Sequence, residues 1–332
     1  MDTYFAVLPT DVLDTLILQL NADTQQTPAR FLRLPHPRTG VPSLFLPHQT
    51  QDATKKSSSM VLEVQAVAPP NARSWFMGEN VVSDGRLLVM TPIDPLFLLI
   101  PLLAACKQRE GEQVNFRPAD DIFEEAATNL AEMTLSASQD PSLAITVDDI
   151  MRFSALECTR HAMRRVCEVK EITPEITVFR YSQKKLQEQL KEKIMTLTSP
   201  RITEMSRCLI RGLAKDALME DNYEDLLELG RTRLACDLLG QYLPPVILAE
   251  VVASYDFTKL DAHIRSLKHQ QLDPSPVTAA PKKGRKVITT VEDDNNKKRK
   301  KEKNASQGVV KAKKANVQGM ATLSTFFSKK TA

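Results

Sequence analysis

The sequence predicts an α+β chain in three parts: a small β-barrel region at residues 1–92, a mostly α-helical domain at 93–270 and a disordered basic tail at 271–332. Short apolar runs separated by Pro, Gly, Asp and Ser precede Thr91, apolar residues recur at spacings of three and four after Asp120, and Lys-rich sequence without apolar periodicity ends the chain. At 332 residues, 42% of them hydrophobic, the chain is long enough for about two domains with separate cores.

The β region is predicted from apolar runs such as "TLILQL", "RFLRLP", "SLFLP" and "MVLEVQAV", whose spacing is typical of a barrel or a sandwich. The segment "NVVSDGRLLVM" predicts a hairpin, because Asp84-Gly85 can supply the positive φ that a tight primed turn requires. Fewer than a hundred residues with two polar interruptions give a thin core. We therefore expect strand edges that another chain can pair.

The pattern changes from strand to helix after Thr91. In "TPIDPLFLLIPLLAACK", Asp94 can cap a helix and Pro95 suits its first position, where no amide hydrogen is needed. From Asp120 to about Leu267 the spacing predicts helix almost throughout, with "DDIMRFSALECTRHAMRRVCEVK" as one amphipathic segment.

Charge is distributed unevenly along the chain. The residues from Asp273 to the end carry 15 Lys and Arg against 5 Asp and Glu, a net charge of +10, while the preceding residues carry −7. The sequences "PKKGRK" and "KKRKKEK" in this tail predict a two-part nuclear address. The alternatives are a patch that binds polyanions and a solvated charged linker. Its basic residues are Lys282, Lys283, Arg285, Lys286, Lys297, Lys298, Arg299, Lys300 and Lys301.

The longest apolar run, Pro95 to Cys106, is shorter than the roughly 20 residues that span a bilayer. The five cysteines are odd in number and widely spread, which suits reduced thiols better than a disulfide framework. We therefore expect a protein that is not secreted, has no membrane partner, and keeps its thiols in a reducing compartment. Together with the basic clusters, this predicts a nuclear location.

The search for catalytic chemistry yields weak candidates. A metal trio of Cys158, His161 and Cys167 does not match the spacing of a structural zinc site, and packed thiols with one surface His are the simpler interpretation. Phosphate-binding glycine loops, nucleophile elbows and zinc-protease motifs do not occur in the sequence. We expect no metal site, no cofactor and no catalysis by this chain.

Three acidic pairs could in principle converge on metal ions, as in a two-metal nuclease. They are Asp120-Asp121, Asp148-Asp149 and Asp293-Asp294. The first two pairs lie at predicted helix starts, where negative charge is favoured by the helix dipole, and the third is in the tail. We therefore interpret them as helix-start or solvated residues.

The end of the chain, "MATLSTFF", resembles the box by which replication and repair proteins bind the sliding clamp. Phe326 and Phe327 take the aromatic positions, Leu323 the aliphatic one, and Met320 stands where Gln is usual. One helical turn would point the three apolar side chains into a single pocket. The Met loses the amide hydrogen bonds of Gln, so we expect weaker binding; an incidental apolar tail is the alternative.

A family resemblance follows from "SWFMGENVVSDGRLLVMTPIDPLFLL", Ser74 to Leu99. This stretch resembles the signature of the non-catalytic B subunit of the eukaryotic type 2 ribonuclease H. The segments "YSQKKLQEQLKEKI" and "YLPPVILAEVVASY" and the clamp box with Met in first place are also similar to that family.

The resemblance implies a β region that forms a shared barrel with the C subunit and docks on the catalytic A subunit, followed by a helical domain with winged-helix character. It also implies a trimer that cleaves the RNA of RNA/DNA hybrids and single ribonucleotides embedded in DNA, with the sliding clamp PCNA as a further partner. Structural roles at the junction of barrel and helical domain are implied for Trp75, Phe76, Pro92, Asp94, Pro95, Leu96 and Phe97.

Two alternatives stay open at this point. A different clamp-tethered replication factor, such as a polymerase accessory protein, would share the tail but not Ser74 to Leu99. An autonomous nucleic-acid-binding protein is disfavoured by the acidic body, since duplex affinity comes largely from neutralised phosphates.

Overall fold

A computed structural model describes residues 3–21, 30–50, 58–106, 115–137, 140, 143–174, 176–219 and 223–272. All of them fall in one compact unit, Met1–Pro274. None of the helices in these ranges is long and apolar enough to cross a membrane.

The N-terminal region is built on one sheet and one helix. Its elements are β1 (Phe5–Val7), α1 (Thr10–Asn21), β2 (Leu32–Pro35), β3 (Pro42–Thr50), β4 (Ser58–Val67), β5 (Trp75–Met77), β6 (Asn80–Val82) and β7 (Leu87–Ile93). The five-stranded sheet has the order β1-β7-β4-β3-β2, antiparallel except for the parallel pair of β1 and β7. The strands β5 and β6 form a separate two-stranded hairpin.

The prediction that "TLILQL" belongs to a strand is wrong, because this segment lies in α1. Val12 is fully buried, and Leu16, one turn later, packs with it against the sheet. Because two apolar residues four positions apart both contact the sheet, packing favours a helix here although the run of aliphatic residues suits a strand.

The predicted hairpin turn at Asp84-Gly85 is also wrong. The hairpin lies earlier, from Trp75 to Val82, and its turn contains Gly78 at φ +57°. After β6 the chain leaves the hairpin, and β7 pairs with β1 and β4 instead. At Gly85 the backbone passes so close to Arg73 that a Cβ would lie 2.3 Å from the Arg73 backbone oxygen, and the absence of a side chain permits this approach.

The sheet buries both of its faces, and the alternation of side chains along β3 and β4 shows how. Phe45 and Val61 join the main core on the helical side, while their neighbours Leu46 and Leu62 join a small core with Val12 of α1. The small core contains only four buried residues within the described ranges. The α1 side of the sheet is therefore thinly packed.

Helix α2 (Pro95–Ala105) joins the sheet to the helical region and is apolar on all sides. The carboxylate of Asp94 accepts a hydrogen bond from the Leu96 amide, and Pro95 occupies the first turn, as the sequence predicts. A helix that is apolar all round must be surrounded, and α2 lies at the centre of the main core. Its buried residues are Leu96, Phe97, Leu98, Leu99, Ile100, Leu102 and Leu103.

The helical region is interrupted by strands that the spacing analysis missed. Its first part contains β8 (Arg117–Pro118), α3 (Ala119–Ala137), α4 (Val147–Ser154), α5 (Glu157–Val166), β9 (Cys167–Glu171) and β10 (Thr177–Tyr181). The strands form a sheet of order β8-β10-β9. Three helices followed by a two-stranded wing make a winged helix, which agrees with the character that the resemblance implies.

The prediction of nearly continuous helix after Asp120 is thus wrong at two points. The segment beginning at Asp148 splits into α4 and α5 at Ala155, and the "CEVK" at its end belongs to the wing strand β9. The rest of the region is helical: α6 (Gln183–Thr198), α7 (Pro200–Met205), α8 (Arg207–Lys215), α9 (Glu224–Leu239), α10 (Pro245–Ala253) and α11 (Thr258–Leu272).

Candidate protein interface

Large apolar side chains are exposed at many points of the N-terminal region. Around β1, α1, the end of β4 and the hairpin these are Tyr4, Val7, Leu13, Ile17, Val67, Phe76, Met77 and Val81. Single exposed apolar residues are ordinary in proteins, whereas adjoining ones mark binding surfaces.

Strand pairing and ring contacts join several of these elements. Val67 at the end of β4 pairs with Leu87, and Leu87 in turn pairs with Phe5 of β1. The Phe5 ring lies 4.9 Å, centroid to centroid, from the ring of Trp75 on the hairpin. We call these adjoining elements, Phe5–Val7, Val67 and Trp75–Val82, the hairpin surface.

The hairpin has one face toward the protein and one toward solvent. Trp75 and Val82 pair across its strands on the inner face, where both are partly buried and the Trp75 indole N–H donates to the carbonyl of Arg86 at 3.3 Å. Phe76 and Val81 pair on the outer face and are 80% and 59% exposed. An exposed aromatic and β-branched cross-strand pair is an apolar anchor without a described partner.

The backbone at the hairpin surface also has free edges. Within the described ranges, β1 pairs with a strand on one side only, and β5 and β6 pair only with each other. Unpaired N–H and C=O groups on such edges can be extended by a strand of another chain.

Asp94 anchors the junction between the sheet and the helices. Besides capping α2, its carboxylate accepts hydrogen bonds from Arg165 of α5 at 2.5 and 3.0 Å and from Lys193 of α6 at 2.5 Å. Burial alone would raise the pKa of Asp94, but the hydrogen bonds from Arg165 and Lys193 outweigh it and lower the pKa to about 2. Asp94 therefore holds three helices together as a carboxylate.

The other signature residues differ in their surroundings. Leu96 and Phe97 are buried in the main core, Pro92 pairs with Leu62 in the sheet, and Trp75 packs on Phe5. Phe76 is exposed, so it does not pack in the junction between sheet and helices, although the resemblance implies a structural role for it there.

Glu63 forms a second connection between the sheet and the helices. It lies on β4, is only 3% exposed, and accepts hydrogen bonds from the hydroxyl of Tyr242 at 3.1 Å and from the Gln65 amide at 2.9 Å. The imidazole of His36 lies 3.5 Å from the same carboxylate and stacks on the Tyr242 ring. A buried carboxylate needs such partners, so these residues position the segment between α9 and α10 on the sheet.

The described part of the chain contains no cluster of three His, Cys, Asp or Glu side chains that could hold a metal ion. His161 is exposed on α5, whereas Cys167 is fully buried. Burial raises the pKa of Cys106 and Cys236 to about 11 and that of Cys167 to about 12. These thiols are therefore protonated at neutral pH and behave as packing residues.

Two of the three acidic pairs lie at helix starts, where the sequence predicts them. Asp120 and Asp121 are in the first turn of α3, and Asp148 and Asp149 are in the first turn of α4. The guanidinium of Arg30 bridges Asp148 and Asp149 at 2.6 and 2.9 Å, which ties the approach to β2 to the start of α4. The third pair, Asp293 and Asp294, lies outside the described residues.

The clamp box, with Met320, Leu323, Phe326 and Phe327, and the nuclear-address residues from Lys282 to Lys301 also lie outside the described residues. Their roles stay predictions from the sequence.

Two sequence models match the folded parts of the chain. The Ydr279p protein triple barrel domain matches residues 17–94, and the wHTH domain of the Ydr279p protein family, described as an RNase H2 complex component, matches residues 97–252. The chain belongs to the Ydr279p family of ribonuclease H2 complex components. The two matches correspond to the N-terminal sheet and to the winged helix with the helices that follow it.

Curated relatives agree with the family. The B subunit of ribonuclease H2 from Xenopus laevis is 29% identical over 216 residues, which cover 64% of this chain and 58% of the relative. The B subunit of ribonuclease H2 from Schizosaccharomyces pombe is 38% identical over 78 residues, 23% of this chain and 24% of the relative. The matches to the two Xenopus proteins thus span about 60% of those proteins' length.

Sequence reasoning missed the outward pair Phe76 and Val81 and the buried Glu63. Strict alternation in "MVLEVQAV" places Glu63 on the same sheet face as Val61, which was a usable signal for a buried carboxylate. The hairpin pair was hidden because the turn was assigned to Gly85 instead of Gly78.

Proposed function

We propose that this chain is the non-catalytic B subunit of a heterotrimeric ribonuclease H2. In this proposal the catalytic A subunit and the C subunit are its partners, and the complex cleaves RNA in RNA/DNA hybrids and at ribonucleotides embedded in DNA. The names of the relatives and of the family support membership of such a complex. The chain's own contribution is to hold the partners together.

The observation that carries this proposal is the hairpin surface. Its outer face presents Phe76 and Val81, and its strand edges are open within the described residues. Burying each of these side chains would stabilise a complex by roughly 1.5 to 3 kcal/mol, and strand addition at β1 would satisfy the free backbone groups. A partner strand at this edge would close the open sheet into the barrel for which the domain is named.

Co-expression with the tagged A and C subunits tests the docking surface. Phe76→Ser with Val81→Ser removes the outward apolar pair, and we expect this variant to be lost from the purified trimer. A matched control, Met205→Ser with Val246→Ser, changes two side chains of the helical region that are 79% and 70% exposed. The control should co-purify like the native chain.

Equal recovery of the hairpin variant and the native chain in the trimer would contradict a docking role for this surface. Loss of the control variant as well would mean that exposed apolar residues matter only for folding or solubility.

The tail extends the proposal to localisation and tethering. We propose that Lys282 to Lys301 direct the complex to the nucleus and that Leu323, Phe326 and Phe327 tether it to the sliding clamp during replication and repair. The support is the sequence pattern: two basic clusters with a short spacer, followed by an aliphatic and aromatic box.

A further inference from the structure

Helix α8 presents three cations in one row. Arg207, Arg211 and Lys215 follow one another at intervals of four residues, and all three are exposed. With a rise of about 1.5 Å and a turn of about 100° per residue, the row extends roughly 12 Å along the helix within an arc of about 80°. We call these three residues the α8 row.

The opposite side of α8 attaches the helix to the protein. Leu213 is buried in the main core and packs against Gly230 of α9. The neighbouring Gly212 faces Leu234, which is also on α9. On a helical wheel the α8 row lies directly opposite Leu209 and Leu213. The row therefore faces solvent on a helix whose orientation is fixed by packing.

The α8 row has no described carboxylate to neutralise it. The helix itself contains no acidic residue, and no ion pair within the described ranges involves Arg207, Arg211 or Lys215. Arg152 of α4, by comparison, pairs with Asp148. Other exposed arginines, such as Arg160 and Arg201, also form no ion pair within the described ranges, so it is the alignment of three such cations on one helix face that distinguishes α8.

This arrangement weakens the isolated helix. Like charges four residues apart destabilise a helix by about 0.2 to 0.5 kcal/mol per pair, and a cation at the first position, as at Arg207, opposes the helix dipole. Lys215 in the last turn interacts favourably with the dipole, but the repulsion within the row remains, and an anionic ligand bound along it would relieve that repulsion.

We propose that the α8 row binds the phosphate backbone of the nucleic-acid duplex on which the ribonuclease H2 complex acts. The inference rests on the proposed function, which supplies a duplex as substrate. A row of roughly 12 Å spans about three and a half phosphate spacings of one strand, since successive phosphates rise about 3.4 Å each, so the three cations can reach separate phosphates. Guanidinium and ammonium groups recognise phosphate without reading sequence, so the contact positions the duplex and does not select bases.

The acidic net charge of the body disfavours nucleic-acid binding in general, but it does not exclude a local contact through the cations of α8. The net charge of −7 before Asp273 is a sum over residues 1–272, whereas phosphate contact depends on the few cations within reach.

The test uses the assembled trimer and a fluorescein-labelled RNA/DNA hybrid of about 20 base pairs in EDTA, which prevents cleavage. Anisotropy titrations at several salt concentrations give the slope of log K against log salt. The variant Arg207→Gln, Arg211→Gln, Lys215→Gln should reduce that slope by about 2.7, because each lost phosphate contact removes roughly 0.9. The control Lys184→Gln, Lys191→Gln, Lys268→Gln removes three exposed cations from α6 and α11 and should change the slope by less than about 0.5.

Assembly is scored first, by co-purification, so that the two proposals fail separately. Failure of every variant and of the native chain to join the A and C subunits would overturn the proposed function and, with it, this inference. Normal assembly with equal slopes for the α8 variant and the native trimer would overturn only the inference. Equal slope losses in both triple variants would also overturn it, because the effect would then not belong to α8.

Discussion

The carboxylate of Glu63 accepts a hydrogen bond from the hydroxyl of Tyr242, which lies 179 residues later in the chain. Glu63 belongs to the N-terminal sheet and Tyr242 to the segment that enters α10, so one buried bond joins the two parts of the protein. Burial and the nearby Glu63 charge raise the pKa of Tyr242, which keeps the hydroxyl protonated and donating at neutral pH.

Tyr242→Phe tests this connection. Removing the donor leaves the buried Glu63 carboxylate with fewer partners, which should cost about 1.5 to 3 kcal/mol. For a folded body of this size the loss corresponds to a fall in melting temperature of about 3 to 12 °C. Tyr223→Phe is the control, because the Tyr223 ring lies 5.1 Å from the His263 ring, centroid to centroid, in a tilted contact, and its hydroxyl makes no described hydrogen bond. A Tyr242→Phe protein that melts like the control would show that the bond adds no stability.

The lowered pKa of Asp94 predicts that the folded protein loses stability in acid. The pKa of Asp94 is lowered from 3.8 to about 2 in the folded protein, so its contribution is fully present above about pH 5 and is lost as the pH falls through 2. The size of the shift corresponds to about 2 kcal/mol, falling to roughly half by about pH 3. Asn can still cap α2, so Asp94→Asn removes mainly the ion pairs to Arg165 and Lys193.

The measurement is urea unfolding of the native and Asp94→Asn proteins at about pH 6 and about pH 3. We expect the difference in unfolding free energy between them to shrink by about half at the lower pH. A difference that stays constant would mean that the ion pairs contribute nothing that depends on Asp94 ionisation.

Two glycines should respond oppositely to alanine. At Gly85 a Cβ would lie 2.3 Å from a backbone oxygen of Arg73, so Gly85→Ala must displace the segment between the hairpin and β7. At Gly212, inside α8, the nearest atom would be the Leu234 Cδ2 at 3.6 Å, an ordinary contact. Gly212→Ala should therefore stabilise the protein by about 0.5 to 1 kcal/mol, through helix propensity. Thermal denaturation of both variants checks the two signs, and stabilisation by Gly85→Ala would contradict the described backbone path.

The start of α2 and the hairpin turn show which parts of the fold can be predicted from the sequence. Asp94 and Pro95 follow local rules of capping, so the start of α2 was predictable from the residues alone. Gly78 and Gly85 look alike in the sequence, and only the long-range pairing of β7 with β1 and β4 decides which one turns the hairpin.

The same limit applies to α1 and to the wing. The run "TLILQL" suits a strand by composition, but packing of Val12 and Leu16 on the sheet makes it helical. In "CEVK", Cys167 becomes a strand residue because β10 pairs with it, a contact that the spacing of apolar residues does not encode. The outward direction of Phe76 likewise depends on the hairpin register.

The clamp box gives a prediction about the tail. Phe326→Ala with Phe327→Ala removes most of the apolar area that would be buried, which should cost at least about 3 kcal/mol, roughly a hundredfold in affinity for the sliding clamp. Met320→Gln should strengthen binding by about 1 kcal/mol, because it restores an amide that can hydrogen-bond. Calorimetric titration of the native and altered Met320–Ala332 peptides against purified clamp measures both effects. Equal affinity of the native and double-alanine peptides would assign the phenylalanines another role.

The central claim is that this chain is a required but non-catalytic component of ribonuclease H2. The most direct measurement is cleavage of a DNA duplex with a single embedded ribonucleotide by the chain alone, by the A and C subunits together, and by all three, each purified free of host nucleases. We predict cleavage by the trimer, none by the chain alone, and a large loss when the chain is omitted. Cleavage by the chain alone, or full activity of the A and C subunits without it, would contradict the account.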